Sequence, residues 1–213
     1  MPTHDRAGLP DAEPRSTLEL WDWRRRVAAL YAEVRALPPM EGGLHWRATR
    51  DELFRDHPQS PVPEPQRRSY PGIAVFAYDP SLRLVADVTA TPTRSISLPH
   101  SSDGATSAHA FGEARFEVAG AEERLVLYRF DAYGDGVFVP FRDATNGAST
   151  YGGGRYIIDT VKGADLGGTA STIVLDFNFA YHPSCVHDPS WSCPLAPREN
   201  TLGAAVEAGE RLP

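Results

Sequence analysis

Along the first sixty residues the hydrophobic positions recur at helical spacing, and from about residue 70 they recur every second residue. Leu20, Trp23, Val27, Leu30, Tyr31, Val34 and Leu37 make one stripe, with Arg24 to Arg26 mostly off it. Ser16 followed by Glu19 has the spacing of a capping box, so the pattern predicts an amphipathic helix from Ser16 that stops before Pro38. A shorter helix is expected from Leu44 to Arg55, burying Trp46, Leu53 and Phe54, and the proline-rich stretch from Pro58 to Pro65 ends it. Met1 to Pro14 is polar and proline-rich and reads as a disordered leader over residues 1–15. A single β-rich domain then fills 16–213, its helical segment running to about residue 57.

From Tyr70 onward, short β-branched and aromatic runs alternate with turn residues, the pattern of an antiparallel β barrel or sandwich. Candidate strands are 73–78, 83–91, 93–98, 111–118, 124–131, 137–142, 150–159 and 172–179. Asn146-Gly147 has the residue types of a tight hairpin turn between strands around Phe138 and Tyr156, and Asp135-Gly136 supplies an adjacent turn. Residues 111–159 should therefore form a four-stranded meander. Pro140 has no N–H to give a ladder, so its strand lies at an edge or carries a bulge. The expected fold is mainly β, with two N-terminal helices covering one face or plugging one end.

Composition narrows the function classes. A net charge of −7 argues against a nucleic-acid surface or an anionic membrane, both of which need clustered basic residues. No apolar run reaches the roughly 20 residues that span a bilayer, and no secretion signal precedes the first helix, so a cytoplasmic location is expected. Lys162 is the single lysine among 21 basic residues, which makes any individual arginine less informative.

Five segments stand out together: Val139-Pro-Phe-Arg-Asp-Ala-Thr-Asn-Gly147, Thr150-Tyr-Gly-Gly-Gly-Arg-Tyr156, Leu175-Asp-Phe-Asn-Phe-Ala-Tyr181, Cys185 through Cys193-Pro-Leu, and Glu199-Asn200. They resemble an uncharacterised bacterial family, domain of unknown function 1684, and Phe54 to Pro61 and Tyr78-Asp79-Pro80 resemble its N-terminal half. The resemblance implies shared architecture and brings no activity with it. It implies asparagine at 182 and tyrosine at 187, where this chain carries histidine, so it attaches no role to those two side chains.

Candidate chemistry gathers in the same segments. Gly152, Gly153 and Gly154 would weaken a strand, so either a ligand approaches the bare backbone between Tyr151 and Arg155, or the chain is bulged or crossed closely by another strand. No helix and no Gly-Lys-Ser/Thr ending follow, so a phosphate loop is not indicated. If 172–179 is a strand, Ile173, Leu175, Phe177 and Phe179 face the core. Asp176 and Asn178 then face either a barrel mouth, with Asp176 as a candidate general base, or solvent. Arg142 could clamp a carboxylate or phosphate beside Asp143, or Asp143 caps the turn while Arg142 pairs with Asp176 or Glu199.

His182, Cys185, His187 and Cys193 offer ligand types that suit zinc, although the spacing matches no known zinc motif. Metal, disulfide and free thiols all stay open for Cys185 and Cys193. His57 is either a catalytic imidazole or a helix-end partner for terminal carbonyls. No G-x-S-x-G elbow is present, and His45, His100 and His109 lie in no motif.

The expectation is a pocket for a small polar or anionic molecule, with Arg142, Asp143, Tyr151, Gly153, Arg155 and Asn178 binding it and no cofactor. The enzyme alternative is a hydrolase or lyase using Asp176 or Glu199 as acid or base. The interaction-module alternative docks a partner on Trp21, Trp23 and Trp46.

Overall fold

A computed structural model describes residues 14–131 and 135–213, so most of the expected leader lies outside the described residues. Helix α1 (Pro14–Ala36) begins two residues ahead of Ser16, and Glu19 accepts from Arg15 at 2.9 Å, so the expected capping box does not form. Val27, Leu30, Tyr31 and Val34 are buried as the stripe requires, while Leu20 and Leu37 at its ends are exposed. Helix α2 (Pro39–Asp56) starts five residues before Leu44, because Pro39 sits in its first turn with a φ already suited to a helix. Trp46, Leu53 and Phe54 are buried, and Trp46 Nε1 donates to Tyr31 Oη at 3.1 Å, tying α2 to α1. A one-turn helix α3 (Glu64–Arg67) interrupts the proline-rich stretch.

Six strands follow: β1 (Arg83–Pro99), β2 (Ala105–Val118), β3 (Ala121–Phe130), β4 (Val137–Phe141), β5 (Arg155–Asp159) and β6 (Thr172–Asp176). They form one antiparallel sheet in the order β5-β4-β3-β2-β1-β6, a half-barrel that contains the expected meander as four consecutive neighbours. Pro140 sits at a register shift between β4 and β5, which is the bulge alternative. The two expected strands 83–91 and 93–98 are one, with the register slipping between Ala90 and Arg94 where Pro92 cannot donate.

Several expectations fail for local reasons. Residues 73–78 form only an isolated bridge, Val75 to Glu210. The strand expected over 150–159 begins at Arg155, and Asn146-Gly147 lies inside a long connection rather than at a two-residue turn. Gly147 has the positive φ of 81°, while Asn146 works through its side chain, accepting from Asp143 N and donating to Thr150 Oγ1, both at 2.8 Å. Asp135-Gly136 closes the β3–β4 connection at its β4 end, where Phe130 N donates to Gly136 O, and the tip lies outside the described residues.

The strand expected over 172–179 stops at Asp176, whose carboxylate accepts from Asn178 N at 3.1 Å and turns the chain into a 3-10 helix over Phe177–Phe179. Its phenyl rings consequently go to different cores.

Alternation along the strands produces two cores on opposite faces of the sheet. Val126 and Tyr128 join Phe138, Tyr156, Phe179 and the inner faces of α1 and α2. Leu125 and Leu127 join Val139, Phe141, Ile157 and Phe177 under the C-terminal residues Leu202, Val206 and Ala208. The outer edge of β5 is covered where Tyr156 and Tyr181 exchange backbone hydrogen bonds at 2.9 and 3.0 Å. That bridge carries the chain after β6 back to β5 and partly closes the barrel.

Candidate functional site

A cavity of about 360 Å³ opens between α1 and the helix-covered face of the half-barrel. Trp23, Val27 and Tyr31 of α1 and Phe54 of α2 form one wall, and Phe130, Phe138, Tyr156 and Tyr181 form the facing one. The facing rings run as a continuous series, with centroids 4.9 Å apart from Phe130 to Phe138, 4.7 Å to Tyr156 and 5.6 Å on to Tyr181. A third wall is the loop from Ser184 to Pro194, which contributes His187, Trp191, Ser192 and Cys193. Volume and lining match the general character of small-molecule sites, which are mostly apolar with few polar groups.

The polar groups of the cavity are largely committed already. Arg50 Nε donates to Glu210 Oε1 at 3.1 Å, and its guanidinium lies 4.8 to 5.1 Å from the rings of Phe54, Trp46 and Tyr181. Burial pushes the Glu210 carboxyl up, but the Arg50 charge and the amide of His182, which donates at 2.7 Å, hold it below the usual carboxylate value. His182 is driven down to about 4, chiefly by burial, and its Nε2 accepts from Tyr151 N at 3.2 Å. Burial lowers His187 as well, so both imidazoles are neutral at pH 7. At the rim, Lys162 Nζ pairs with Asp159 Oδ2 at 3.3 Å, whereas exposed Arg24 has no acidic partner among the described residues.

Residues 68–211 match the model of the family described as protein of unknown function (DUF1684). The chain belongs to that family. An uncharacterized protein of Haloarcula marismortui, solved by solution NMR, is similar at 37% identity with a TM-score of 0.58, covering 78% of this chain and 90% of its own. No curated protein matches. The DUF1684 match begins after α3, so Phe54 to Pro61 falls outside it, and so do the α1 and α2 residues that wall the cavity.

The ligand-binding residues expected from the sequence do not line this cavity. Arg155 is fully buried, donating to Asp143 Oδ2 at 2.9 Å, to Val206 O at 2.8 Å, to Glu210 O at 3.2 Å and to Ala208 O. Asp143 also caps the following turn through Thr145 N at 2.8 Å. Arg142 pairs with neither Asp176 nor Glu199, since its guanidinium donates to Ala196 O and Gly152 O, each at 2.7 Å.

Two of the three glycines are crowded by their own chain. A Cβ at Gly153 would collide with the ring of Tyr151, and one at Gly154 would stand 2.6 Å from Phe141 O. Tyr151 is half-buried with its hydroxyl 3.9 Å from Cys185 Sγ.

Asp176 and Glu199 are not brought together. Asp176 is buried and raised by that burial, and it is bonded to Asn178 Nδ2 at 2.8 Å and Tyr78 Oη at 3.2 Å, with Arg83 at 3.6 Å. Asn178 in turn bridges to the backbone of Asp79 at 2.8 Å. Glu199 holds Arg94 at 2.7 Å and Tyr128 Oη at 2.8 Å, and these partners outweigh its burial and lower it.

No group of three or more metal-ligating side chains occurs among the described residues, and Cys185 and Cys193 are both free thiols. His57 lies at the helix end, where its amide donates to Leu53 O, but its imidazole bonds to no terminal carbonyl among the described residues: Nδ1 accepts from Gln59 N at 3.0 Å and Nε2 faces Asp22 at 3.3 Å. Trp46 is core, Trp23 lines the cavity and Trp21 is 61% exposed, so the three tryptophans share no surface. No helix among the described residues is long and apolar enough to cross a membrane.

Proposed function

We propose that this DUF1684 protein binds a small, flat, largely apolar molecule that carries an acidic group. The aromatic-walled cavity of about 360 Å³ carries this reading, since a stacked-ring lining rewards a planar apolar body. Charge supplies the acidic end. Arg50 is neutralised by Glu210 and Lys162 by Asp159, which leaves Arg24 as the lining cation without an acidic partner among the described residues, on a chain whose net charge is −7. This departs from the more polar ligand that the hairpin residues suggested.

The test is titration with 1-anilinonaphthalene-8-sulfonate, a planar aromatic anion, followed by fluorescence. Val161 is 43% exposed at the cavity mouth, so Val161→Trp should obstruct entry without disturbing the core. Affinity is expected to fall about tenfold with an unchanged thermal transition. Equal affinity in the two proteins would remove the cavity as the binding site.

A further inference from the structure

The loop that forms the third wall of the cavity is fastened to the β1–β2 connection at the two residues that flank Ser192. Ser101 N donates to Cys193 O at 2.9 Å, and Ser101 Oγ accepts from Cys193 N at 3.2 Å and donates to Trp191 O at 3.3 Å. His100 forms an isolated antiparallel bridge with Pro194, and its amide donates to Gly104 O at 3.1 Å. Backbone on both sides therefore fixes Ser192, which lines the cavity, against His100, which does not.

Four side chains meet at this point in one run of hydrogen bonds. Ser102 Oγ donates to Ser192 Oγ at 2.8 Å, so the Ser192 hydroxyl keeps its own proton for His100 Nδ1, also at 2.8 Å. The imidazole then carries its hydrogen on Nε2 and donates to Thr106 Oγ1 at 2.7 Å. A serine hydroxyl donating to an imidazole whose far nitrogen is held by a third group is the arrangement that activates a nucleophile. Ser192 and His100 lie 92 residues apart, so no local motif marks the pair.

We propose that Ser192 and His100 are a nucleophile and base that hydrolyse esters of planar aromatic carboxylic acids seated in the cavity. The substrate class rests on the binding reading above, because the acid released is a small flat molecule with an acidic group. The pair itself rests on its own geometry.

Ser192 Oγ attacks the ester carbonyl carbon while His100 Nδ1 takes the hydroxyl proton. Ser102 Oγ, 2.8 Å from the attacking atom, is the hydroxyl donor at hand for the carbonyl oxygen as it gains charge. The bond from carbon to the alcohol oxygen then breaks, and the imidazolium returns the proton to that oxygen. A water molecule, giving its proton to His100, attacks the acyl-serine carbon. The bond to Ser192 Oγ breaks, Ser192 recovers a proton from His100, and the aromatic acid leaves as a carboxylate with its proton passing to solvent. One ester and one water become one acid and one alcohol, with no change of oxidation state. Thr106 touches only the imidazole and is a positioning residue.

The full chain is treated with benzenesulfonyl fluoride and read by intact mass and peptide mapping, then assayed with 4-nitrophenyl benzoate and 4-nitrophenyl acetate. Expected are one benzenesulfonyl group, on Ser192, and a kcat/KM for the benzoate about tenfold above that for the acetate. Ser192→Ala should lose the label, and His100→Gln should lower benzoate turnover about a hundredfold. Both should bind 1-anilinonaphthalene-8-sulfonate as the unaltered protein does, which shows that they fold. Thr106→Val should lower kcat with KM unchanged, and Ser190→Ala, exposed in the same loop, should change nothing.

A label on another residue, or turnover that survives Ser192→Ala, overturns the nucleophile. Undiminished turnover in His100→Gln overturns the base, and acetate cleaved as fast as benzoate overturns the aromatic substrate. A protein that binds the naphthalene probe but shows neither label nor turnover loses the esterase and keeps the binding reading. A protein labelled on Ser192 that does not bind the probe loses the binding reading and keeps the pair.

Discussion

Arg155 is enclosed entirely, and its guanidinium joins Asp143 to three carbonyl oxygens between Val206 and Glu210. Removing it strands a buried carboxylate and three backbone acceptors at once. Arg155→Ala is expected to cost about 3 to 5 kcal/mol, read as a lower urea midpoint with an unchanged slope. A loss below about 1 kcal/mol would contradict the structural role. From the sequence this arginine looked like a ligand group because it follows a glycine run. Its three carbonyl partners lie 51 to 55 residues later, a separation that leaves no local signature. Trp46, Leu53 and Phe54 were legible as buried because helical spacing is a local property.

The connection between β4 and β5 tests the glycine run as an element. Gly154 has a φ of +94°, and a Cβ there would meet Ala196 Cβ at 2.5 Å and Phe141 O at 2.6 Å. Gly152 has only Gly147 Cα nearby, at 3.9 Å. Gly154→Ala should therefore lose about 2 kcal/mol or more, and Gly152→Ala should stay within about 0.5 kcal/mol, by thermal or urea unfolding of the pair. Equal effects would mean that crowding is not what selects glycine. The meander was legible because alternation repeats in each of its strands. The boundaries at Arg155 and Asp176 were not, since side-chain caps and close approach override a period-two pattern there. The candidate site was the least legible part. Its walls come from α1, α2, β3 to β5 and the loop after Tyr181, and no one of these elements shows a cavity in its own sequence.

For the molecule as a whole, the buried charges on and behind the cavity floor govern the response to acid. His182 is held neutral down to about 4, below its ordinary value of 6.5, so the unfolded chain takes up the proton first. Stability from this residue is complete above pH 6.5 and is lost as pH falls toward 4, by about 3 kcal/mol. Glu210, also depressed, adds a loss below its ordinary value of 4.5. Asp176 is raised and so offsets part of that lower loss. The urea midpoint should decline between pH 6.5 and 4, and His182→Asn should flatten the upper part of the decline. A flat wild-type profile would place His182 in contact with water. The pairing of Arg50 with Glu210 spans 160 residues and has one more consequence. On a ribosome both helices emerge long before residue 210 has been added. Until then the guanidinium has no counter-ion to accompany it inside, and the early helices must wait with that charge turned toward water.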